Sequence, residues 1–197
     1  MQQTEIINLL LKKNDGILKT SDVVQSGISK VCFMEYIRKF GLVKVAHGIY
    51  MSNDAWIDGM YLLQARFGGV IFSHETALYL LDLTDREPLQ YTVTVKTGYN
   101  YSGLANEGVK VYSIKKELFE TGLTAMESPT GRNLKAYNAE RTICDIIRNR
   151  RSVEIQDFQT AIKMYTKQKN KDLPLLMRYA KEFRVEKILR QYLEVLL

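Results

Sequence analysis

The chain has 197 residues, of which 46% are apolar, 10% aromatic and 25% charged. This balance is typical of a globular protein of one or two domains and excludes a disordered chain. Its three prolines and twelve glycines also exclude a fibrous or low-complexity protein. No apolar run is long enough to cross a bilayer, and residues 1–5 show no basic region followed by an apolar core. We therefore expect neither a membrane span nor a signal peptide.

The charge is unevenly distributed. The net charge is +6, with +2 in residues 1–54, −3 in residues 55–131 and +7 in residues 132–197. A basic chain of this kind favours an anionic partner without identifying it. The two cysteines, Cys32 and Cys144, are too few for a metal cluster, and we expect both to be reduced, apolar fillers in the cytoplasm.

Three helices are predicted within the first 41 residues. The first ends at residues 14–16, and the second is short and is closed by Gly27. Ser29 caps the third helix, and Gly41 ends it. The apolar residues of this third helix recur at spacings of four and three, which predicts one buried stripe: Phe33, Ile37 and Phe40.

A hairpin is predicted to follow. Residues 42–46 and 48–51 read as two strands around a tight turn at His47 and Gly48. The order of helix, short helix, turn, helix and hairpin is typical of a winged helix-turn-helix occupying residues 1–54. A purely structural three-helix module with a hairpin cap stays open as an alternative.

In a winged helix-turn-helix, the third helix of this region would enter the major groove of DNA. If the predicted stripe is buried, Val31, Glu35, Arg38 and Lys39 point outward, and the helix begins at Ser29 and Lys30. The hairpin adds two residues that can reach the neighbouring backbone. The candidate DNA-binding residues, expected to contact mostly the phosphates, are Ser29, Lys30, Arg38, Lys39, Lys44 and His47.

The remaining residues, 55–197, predict a second domain of the α+β class, with a small mixed sheet followed by a helical block. A short helix capped by Ser73 lies among the strands, and Asp172 caps a later helix. One helix of the block has a predicted buried stripe of Ile155, Phe158, Ile162 and Tyr165. The predicted strands are 70–72, 91–95, 109–114 and a weaker one at 134–137, and the predicted helices begin near 55, 73, 139, 155, 172 and 185.

No pattern in this second domain predicts catalysis, a cofactor or a metal. There is no phosphate-binding loop and no dinucleotide fingerprint. His74 and Glu75 could form an acid–base pair, but the start of a capped helix is the favoured interpretation because neighbouring helical residues diverge. Arg141 and Asp145 are four residues apart and can pair along one helix, so we interpret residues 140–145 as structural.

A basic cluster lies near the C-terminal end. Basic residues at the end of a helix are favoured electrostatically without any partner, so a solvated surface explains the cluster as well as a binding site does. The alternative is a secondary basic patch that contacts an anionic partner, formed by Arg148, Arg150, Arg151, Lys163 and Lys167.

Several runs together resemble the AbiEi antitoxins. Residues 27–29 (GIS) and 41–50 (GLVKVAHGIY) resemble the start of their winged helix. Residues 71–78 (IFSHETAL) and 83–86 (LTDR) resemble the start of their second domain. Residues 137–148 (YNAERTICDIIR) are similar to the later helical signature of that domain. The runs occur in the expected order over most of the chain.

The resemblance implies an antitoxin of a type IV abortive-infection system that acts against bacteriophage. It implies a protein that represses its own operon by binding repeats in the promoter. It also implies that residues 55–197 counteract a nucleotidyltransferase-like toxin without a stable complex. The expected protein is cytoplasmic and not an enzyme.

Two other classes of function stay open. One is a nucleic-acid-processing enzyme with a winged-helix targeting domain, which would usually need clustered carboxylates to hold a divalent ion. In this sequence the acidic residues are scattered. The other is a protein-interaction module that presents Tyr99 and Tyr101 on a glycine-punctuated loop.

Overall fold

The structure, a computed structural model, describes residues 2–196 as eleven helices, eight strands and their connections. The predicted α+β class is confirmed. The chain divides into two compact units, and the division falls between Arg66 and Phe67. The predicted boundary after residue 54 is therefore too early. No helix among the described residues is long and apolar enough to cross a membrane.

The first unit combines four helices with a three-stranded antiparallel sheet. Strand β3 lies at the centre, between β1 and β2. The predicted hairpin is confirmed as β2 and β3, whereas β1 was not predicted. The helices are α1 (Gln2–Lys13), α2 (Thr20–Gln25), α3 (Lys30–Phe40) and α4 (Gly59–Arg66), and the strands are β1 (Ile17–Lys19), β2 (Val43–Ala46) and β3 (Ile49–Met51).

Helix α4 explains why the boundary lies later than predicted. Ile17, Ile49 and Met51 form a small buried cluster on the sheet. The apolar residues that pack against this cluster include several from the segment after residue 54: Ala55, Tyr61, Leu62 and Ala65. Burial against the sheet therefore joins this segment to the first unit.

The ends of α3 follow the local sequence as predicted. The Ser29 hydroxyl oxygen accepts a hydrogen bond from the Cys32 N–H at 3.2 Å, which satisfies one of the free donors of the first turn. Gly41 closes the helix with φ at 66°, a left-handed conformation that favours glycine.

The buried face of α3 differs from the prediction at one residue. Phe33 and Ile37 are buried, but Phe40 is 46% exposed. Tyr36 takes its place in the core, and its hydroxyl donates to Asn8 Oδ1 of α1 at 2.6 Å. Phe40 lies outside, against the Tyr36 ring at 4.3 Å between ring centroids. The contact with α1 decides which face of α3 is buried.

The second unit is built on a five-stranded mixed sheet. The strand order is β6-β5-β4-β8-β7, with β5 parallel to β6, β4 parallel to β8, and the other two pairs antiparallel. The strands are β4 (Ile71–Phe72), β5 (Thr92–Lys96), β6 (Lys110–Ile114), β7 (Leu123–Glu127) and β8 (Asn133–Tyr137). Among them, β7 was not predicted.

Seven of the described helices belong to this unit, and the last four form the predicted helical block. Asp172 caps α10, accepting from the Leu175 N–H at 2.8 Å, as predicted. The helices of this unit are α5 (His74–Leu80), α6 (Ser102–Asn106), α7 (Lys116–Phe119), α8 (Ala139–Arg148), α9 (Ile155–Lys167), α10 (Leu173–Glu182) and α11 (Glu186–Leu196). Cys144 is buried in α8 and Cys32 is partly exposed in α3, and neither forms a disulfide.

The buried stripe of α9 is shorter than predicted. Phe158, Ile162 and Tyr165 are buried, but Ile155 is 67% exposed. The first turn of α9 is held instead by Arg86, whose guanidinium lies 3.0 Å from Glu154 and 3.4 Å from Asp157. The start of the helix is thus anchored by surface ion pairs, and its apolar face begins one turn later.

Candidate functional site

The outer face of α3 has an apolar centre. Val31 is 69% exposed and Met34 39%, and Arg38 follows on the same side of the helix. Glu35 is exposed next to them. The predicted outward positions Val31, Glu35, Arg38 and Lys39 are therefore confirmed as exposed. Sequence reasoning missed Met34, although its spacing of three from Val31 could have found it.

Two lysines flank this apolar centre. By helix geometry, Lys30 lies about 100° to one side of Val31 and Lys39 about 80° to the other. Both side chains are exposed. The Lys39 ammonium lies 5.5 Å from the centre of the Phe40 ring, so the exposed Phe40 supports the lysine at one edge.

The first turn of α3 presents polar groups toward solvent. Ser29 and Lys30 are exposed there. Capping uses one lone pair of the Ser29 hydroxyl, so its O–H can still donate to an anion. The positive end of the helix dipole favours an anion at the same place.

The hairpin is held in a fixed position relative to α2. The Thr20 N–H and the Thr20 hydroxyl both donate to the Gly48 carbonyl, at 2.8 and 3.1 Å. Gly48 has φ at 68°, which allows the tight turn. Lys44 and His47 are exposed on the hairpin, as the prediction requires. The turn that carries His47 is therefore tied to the helix pair.

The predicted secondary basic patch is not gathered on one element. Arg148 ends α8, and Arg150 and Arg151 follow it in the connection to α9. Lys163 and Lys167 lie on one face of α9, about 12 and 18 Å along the helix axis from its first residue. All five side chains are exposed. The structure thus separates the arginines from the lysines.

A buried polar cluster of the second unit surrounds His74. The His74 ring is fully buried, with φ at 47°, and it stacks on Tyr112 at 3.6 Å between ring centroids. Nδ1 lies 3.0 Å from Ser73 Oγ, and Nε2 lies 3.0 Å from Asn149 Nδ2. Burial, assisted by the positive charges of Lys110, Arg141 and Arg148, holds the pKa of His74 well below its usual value. The imidazole is therefore neutral.

Arg141 and Asp145 form the predicted ion pair, and both side chains are buried. The Arg141 Nε donates to Asp145 Oδ2 at 3.0 Å, and neither side chain is more than 4% exposed. The guanidinium lies between the Tyr137 and Phe183 rings, at 3.9 and 4.1 Å from their centroids. Burial raises the pKa of Asp145 to about 6 despite the adjacent guanidinium.

The tyrosines of the 97–108 loop have different surroundings. The Tyr99 ring packs on Gly69 so closely that a β-carbon there would lie 2.6 Å from it. Tyr101 is 48% exposed.

Within residues 2–196, no three acidic, histidine or cysteine side chains are grouped closely enough to hold a metal ion.

Comparison with known proteins shows the fold alone. No family model matches the sequence, and no curated protein matches it. The chain is similar to the crystal structure of the RV2827C protein from Mycobacterium tuberculosis, with a TM-score of 0.57 and 16% identity. The match covers 90% of this chain and 72% of that one. The α+β arrangement therefore occurs in a solved structure with a very different sequence.

Proposed function

We propose that the first unit is a winged helix-turn-helix that binds promoter DNA, and that the protein is a transcriptional autorepressor and antitoxin of an abortive-infection operon. The observation that carries this proposal is the outer face of α3. It combines exposed apolar residues at the centre, a lysine at each edge and a hairpin tied to α2. The net charge of residues 29–48 is +3.

This face suits the major groove. A helix placed there meets base edges along its centre and phosphates at its sides. Val31 and Met34 can contact thymine methyl groups, Arg38 can donate to a guanine, and Glu35 can accept from a cytosine amino group. Lys30, Lys39 and the Ser29 hydroxyl are placed for phosphates, and Lys44 and His47 for the backbone beside the hairpin.

The antitoxin role is supported by the resemblance of the 71–86 and 137–148 runs to the AbiEi family. The expected partners are repeats in the protein's own promoter and a nucleotidyltransferase-like toxin that is opposed without a stable complex. Both partners place the protein in the cytoplasm. The proposal assigns it no catalytic residue and no cofactor.

The phosphate contacts are tested by the variant Lys30→Ala/Lys39→Ala. We expect its affinity to fall for promoter and random DNA alike, because phosphate contacts carry no sequence information. The slope of log affinity against log salt should flatten by about 2 units, since each phosphate contact contributes roughly 0.9. Fluorescence anisotropy at several salt concentrations measures both quantities.

The matched control is Lys12→Ala/Lys13→Ala, which removes the same charge from exposed positions at the end of α1. It should keep most of the wild-type slope and affinity. An equal loss in both double variants would show that only overall charge matters. Wild-type affinity in Lys30→Ala/Lys39→Ala would refute the assignment of α3.

Base reading is tested by Val31→Ser/Met34→Ser, which keeps every charge. We expect it to lower the preference for the promoter over random DNA while leaving the salt slope unchanged. In cells carrying the toxin gene, both α3 variants should derepress the promoter but still restore growth. Loss of growth rescue with a normal thermal melt would contradict a separate antitoxin role for the second unit.

The secondary basic patch is proposed to contact DNA beyond the main site. Arg150→Ala/Arg151→Ala should then flatten the salt slope by up to about 2 units. An unchanged slope would assign these arginines to the solvated surface.

A further inference from the structure

A small polar cavity of about 60 Å³ lies in the second unit, beside the C-terminal end of α8. It is lined by side chains of four elements, α5, β5, β6 and α8, and by the residue that follows α8. Those that can donate hydrogen bonds into it include Tyr112, Ser113, Arg141 and Arg148. The cavity is separate from the face of α3 described above, and the sequence runs at 71–78 and 137–148 both contribute to its wall.

Two donors at this cavity have no acceptor. Arg141 is fully buried; its Nη1 donates to the carbonyls of Leu118 and Thr121 at 2.8 and 2.7 Å, and its Nε donates to Asp145. Its Nη2 is buried without any hydrogen-bond partner among the described residues. Unsatisfied buried donors are rare in proteins, and a fully buried guanidinium nitrogen of this kind points to an acceptor that completes the site.

The second such donor is the hydroxyl of Tyr112, which is also buried and has no acceptor for its hydrogen among the described residues. The charged groups that act on it are Lys110, Glu75 and Asp145. Lys110 can only donate to the Tyr112 oxygen, and Glu75 Oε2 is also left without a partner among the described residues. Two unsatisfied donors from different elements therefore belong to the wall of one cavity.

The charges around the cavity favour an anion. Its wall contains two guanidinium groups, of Arg141 and Arg148, and one carboxyl group, of Asp145, which is already bonded to Arg141. His74 is in the wall as well and is neutral. The carboxyl group of Asp145 is paired with Arg141, so no carboxylate of the wall neutralises Arg148. An anionic ligand could therefore pair with the Arg148 guanidinium.

The size restricts the anion. A cavity needs about 10 to 15 Å³ to hold one water molecule, so this one has room for about four to six water-sized atoms. A tetrahedral oxyanion has five heavy atoms. Ser113 and Arg148 are exposed at the surface, so an ester group attached to the anion could remain outside.

We propose that this cavity binds a phosphate group, either inorganic phosphate or the phosphoryl group of a monoester. Arg141 Nη2 and Tyr112 donate from the interior, and Arg148 donates from the rim. The site goes beyond the proposed DNA binding by α3, since it lies in the other unit, and it shares only Arg148 with the secondary basic patch.

Calorimetric titration of the full-length protein with inorganic phosphate, at constant ionic strength in chloride, tests the proposal. We expect saturable binding at one site. Arg148→Gln should weaken it about tenfold or more, the effect of losing one charge-assisted hydrogen bond. Arg150→Gln is the matched control: it removes an equal charge two residues away, outside the cavity wall, and should bind as the wild type does.

Tyr112→Phe provides a second variant that keeps the ring and its stack on His74. It should weaken phosphate binding severalfold while the thermal melt without phosphate stays at least as high, because an unsatisfied buried hydroxyl is removed. The variant Lys30→Ala/Lys39→Ala should bind phosphate normally, which separates this site from the DNA surface.

Adenosine 5′-monophosphate and adenosine distinguish the two sources of the anion. If adenosine monophosphate binds more tightly than inorganic phosphate and adenosine does not bind, the site takes a monoester. If inorganic phosphate binds more tightly than adenosine monophosphate, the site takes free phosphate. Absence of saturable binding at millimolar phosphate would overturn the proposal and leave a cavity filled by water. Equal binding by Arg148→Gln and Arg150→Gln would also overturn it.

Discussion

Replacing His74 by asparagine should change how stability depends on pH. The native ring is fully buried and neutral, with its pKa held well below the usual value by burial and nearby positive charges. Asparagine is suited to the backbone at this position, where φ is 47°, because it tolerates the left-handed conformation better than most residues. The substitution removes the titrating group and keeps the backbone.

The direction in which stability changes with pH follows from where the His74 proton binds. Below about pH 6.5 the unfolded chain takes up a proton at His74, while the folded protein does not until a much lower pH. The wild type therefore loses stability through this group as the pH falls, by about 1.4 kcal/mol per pH unit. Between pH 6.5 and pH 5 the loss is at most about 2 kcal/mol.

Asp145 acts in the opposite direction. Burial raises its pKa from 3.8 to about 6, so the folded protein takes up a proton there before the unfolded chain does. This contribution to stability is present at low pH and is lost as the pH rises through about 6. Because the two effects oppose each other, the wild-type curve alone does not isolate His74.

The difference between the wild type and His74→Asn does isolate it. Urea unfolding followed by circular dichroism gives the free energy of unfolding of each protein at several pH values. The variant should be less stable than the wild type near neutral pH, and the difference in stability should shrink towards pH 5, by at most about 2 kcal/mol. His47→Asn, in an exposed turn, is the matched control. A gap that does not depend on pH, or that changes equally in both variants, would refute the reasoning.

Three further predictions concern stability and domain limits. Gly122→Ala should lower the free energy of unfolding, measured in urea, by about 2 kcal/mol or more. The reason is that φ of Gly122 is 75° and the new β-carbon would lie 2.5 Å from the Arg141 Cβ. Gly131→Ala is the control and should cost less, because φ is 80° there but the space around it is open. Ser29→Ala should cost about 1 kcal/mol in the same assay through loss of the α3 cap, and little change would contradict that cap. A fragment of residues 67–197 should unfold cooperatively and elute as a single compact species in size-exclusion chromatography. A fragment of residues 55–197 should aggregate in the same experiment, because it carries α4 without the sheet that buries it. Equal behaviour of the two fragments would argue against the observed boundary.

Local chemistry made the ends of α3 predictable. The cap at Ser29 and the left-handed Gly41 depend on residues within one turn, so the sequence contains everything needed to find them. The face that α3 buries depends on α1, which is distant in the sequence. Phe33 and Ile37 fit two possible stripes, and the bond between Tyr36 and Asn8 selects the one without Phe40.

The missed strands also depend on distant partners. Strand β1 has three residues, and its pairing residues, such as Met51 opposite Ile17, come much later in the chain. Strand β7 is an edge strand with a mostly exposed surface, so it has no strong apolar alternation to detect. Short strands of this kind acquire their conformation from the sheet and not from their own sequence.

Sequence reasoning found most of the exposed face of α3, but for the cavity of the second unit it found single residues and not their grouping. The exposed positions of α3 follow from helical periodicity, which is local. The cavity of the second unit combines α5, β5, β6 and α8, so no spacing along the chain predicts it. His74 and Arg141 stood out in the sequence, but only the fold brings them to the same cavity.

The parallel pairing of β4 with β8 has a consequence for synthesis on the ribosome. Phe72 lies opposite Ala136, so the centre of the larger sheet joins segments far apart in the chain. The smaller sheet needs nothing beyond Met51, and α4, which packs on it, ends at Arg66. Since contacts over long separations form slowly, we expect the first unit to fold on the nascent chain while the second still waits for its last strand. A ribosome that stalls midway through the message would then release a polypeptide whose first unit is already folded.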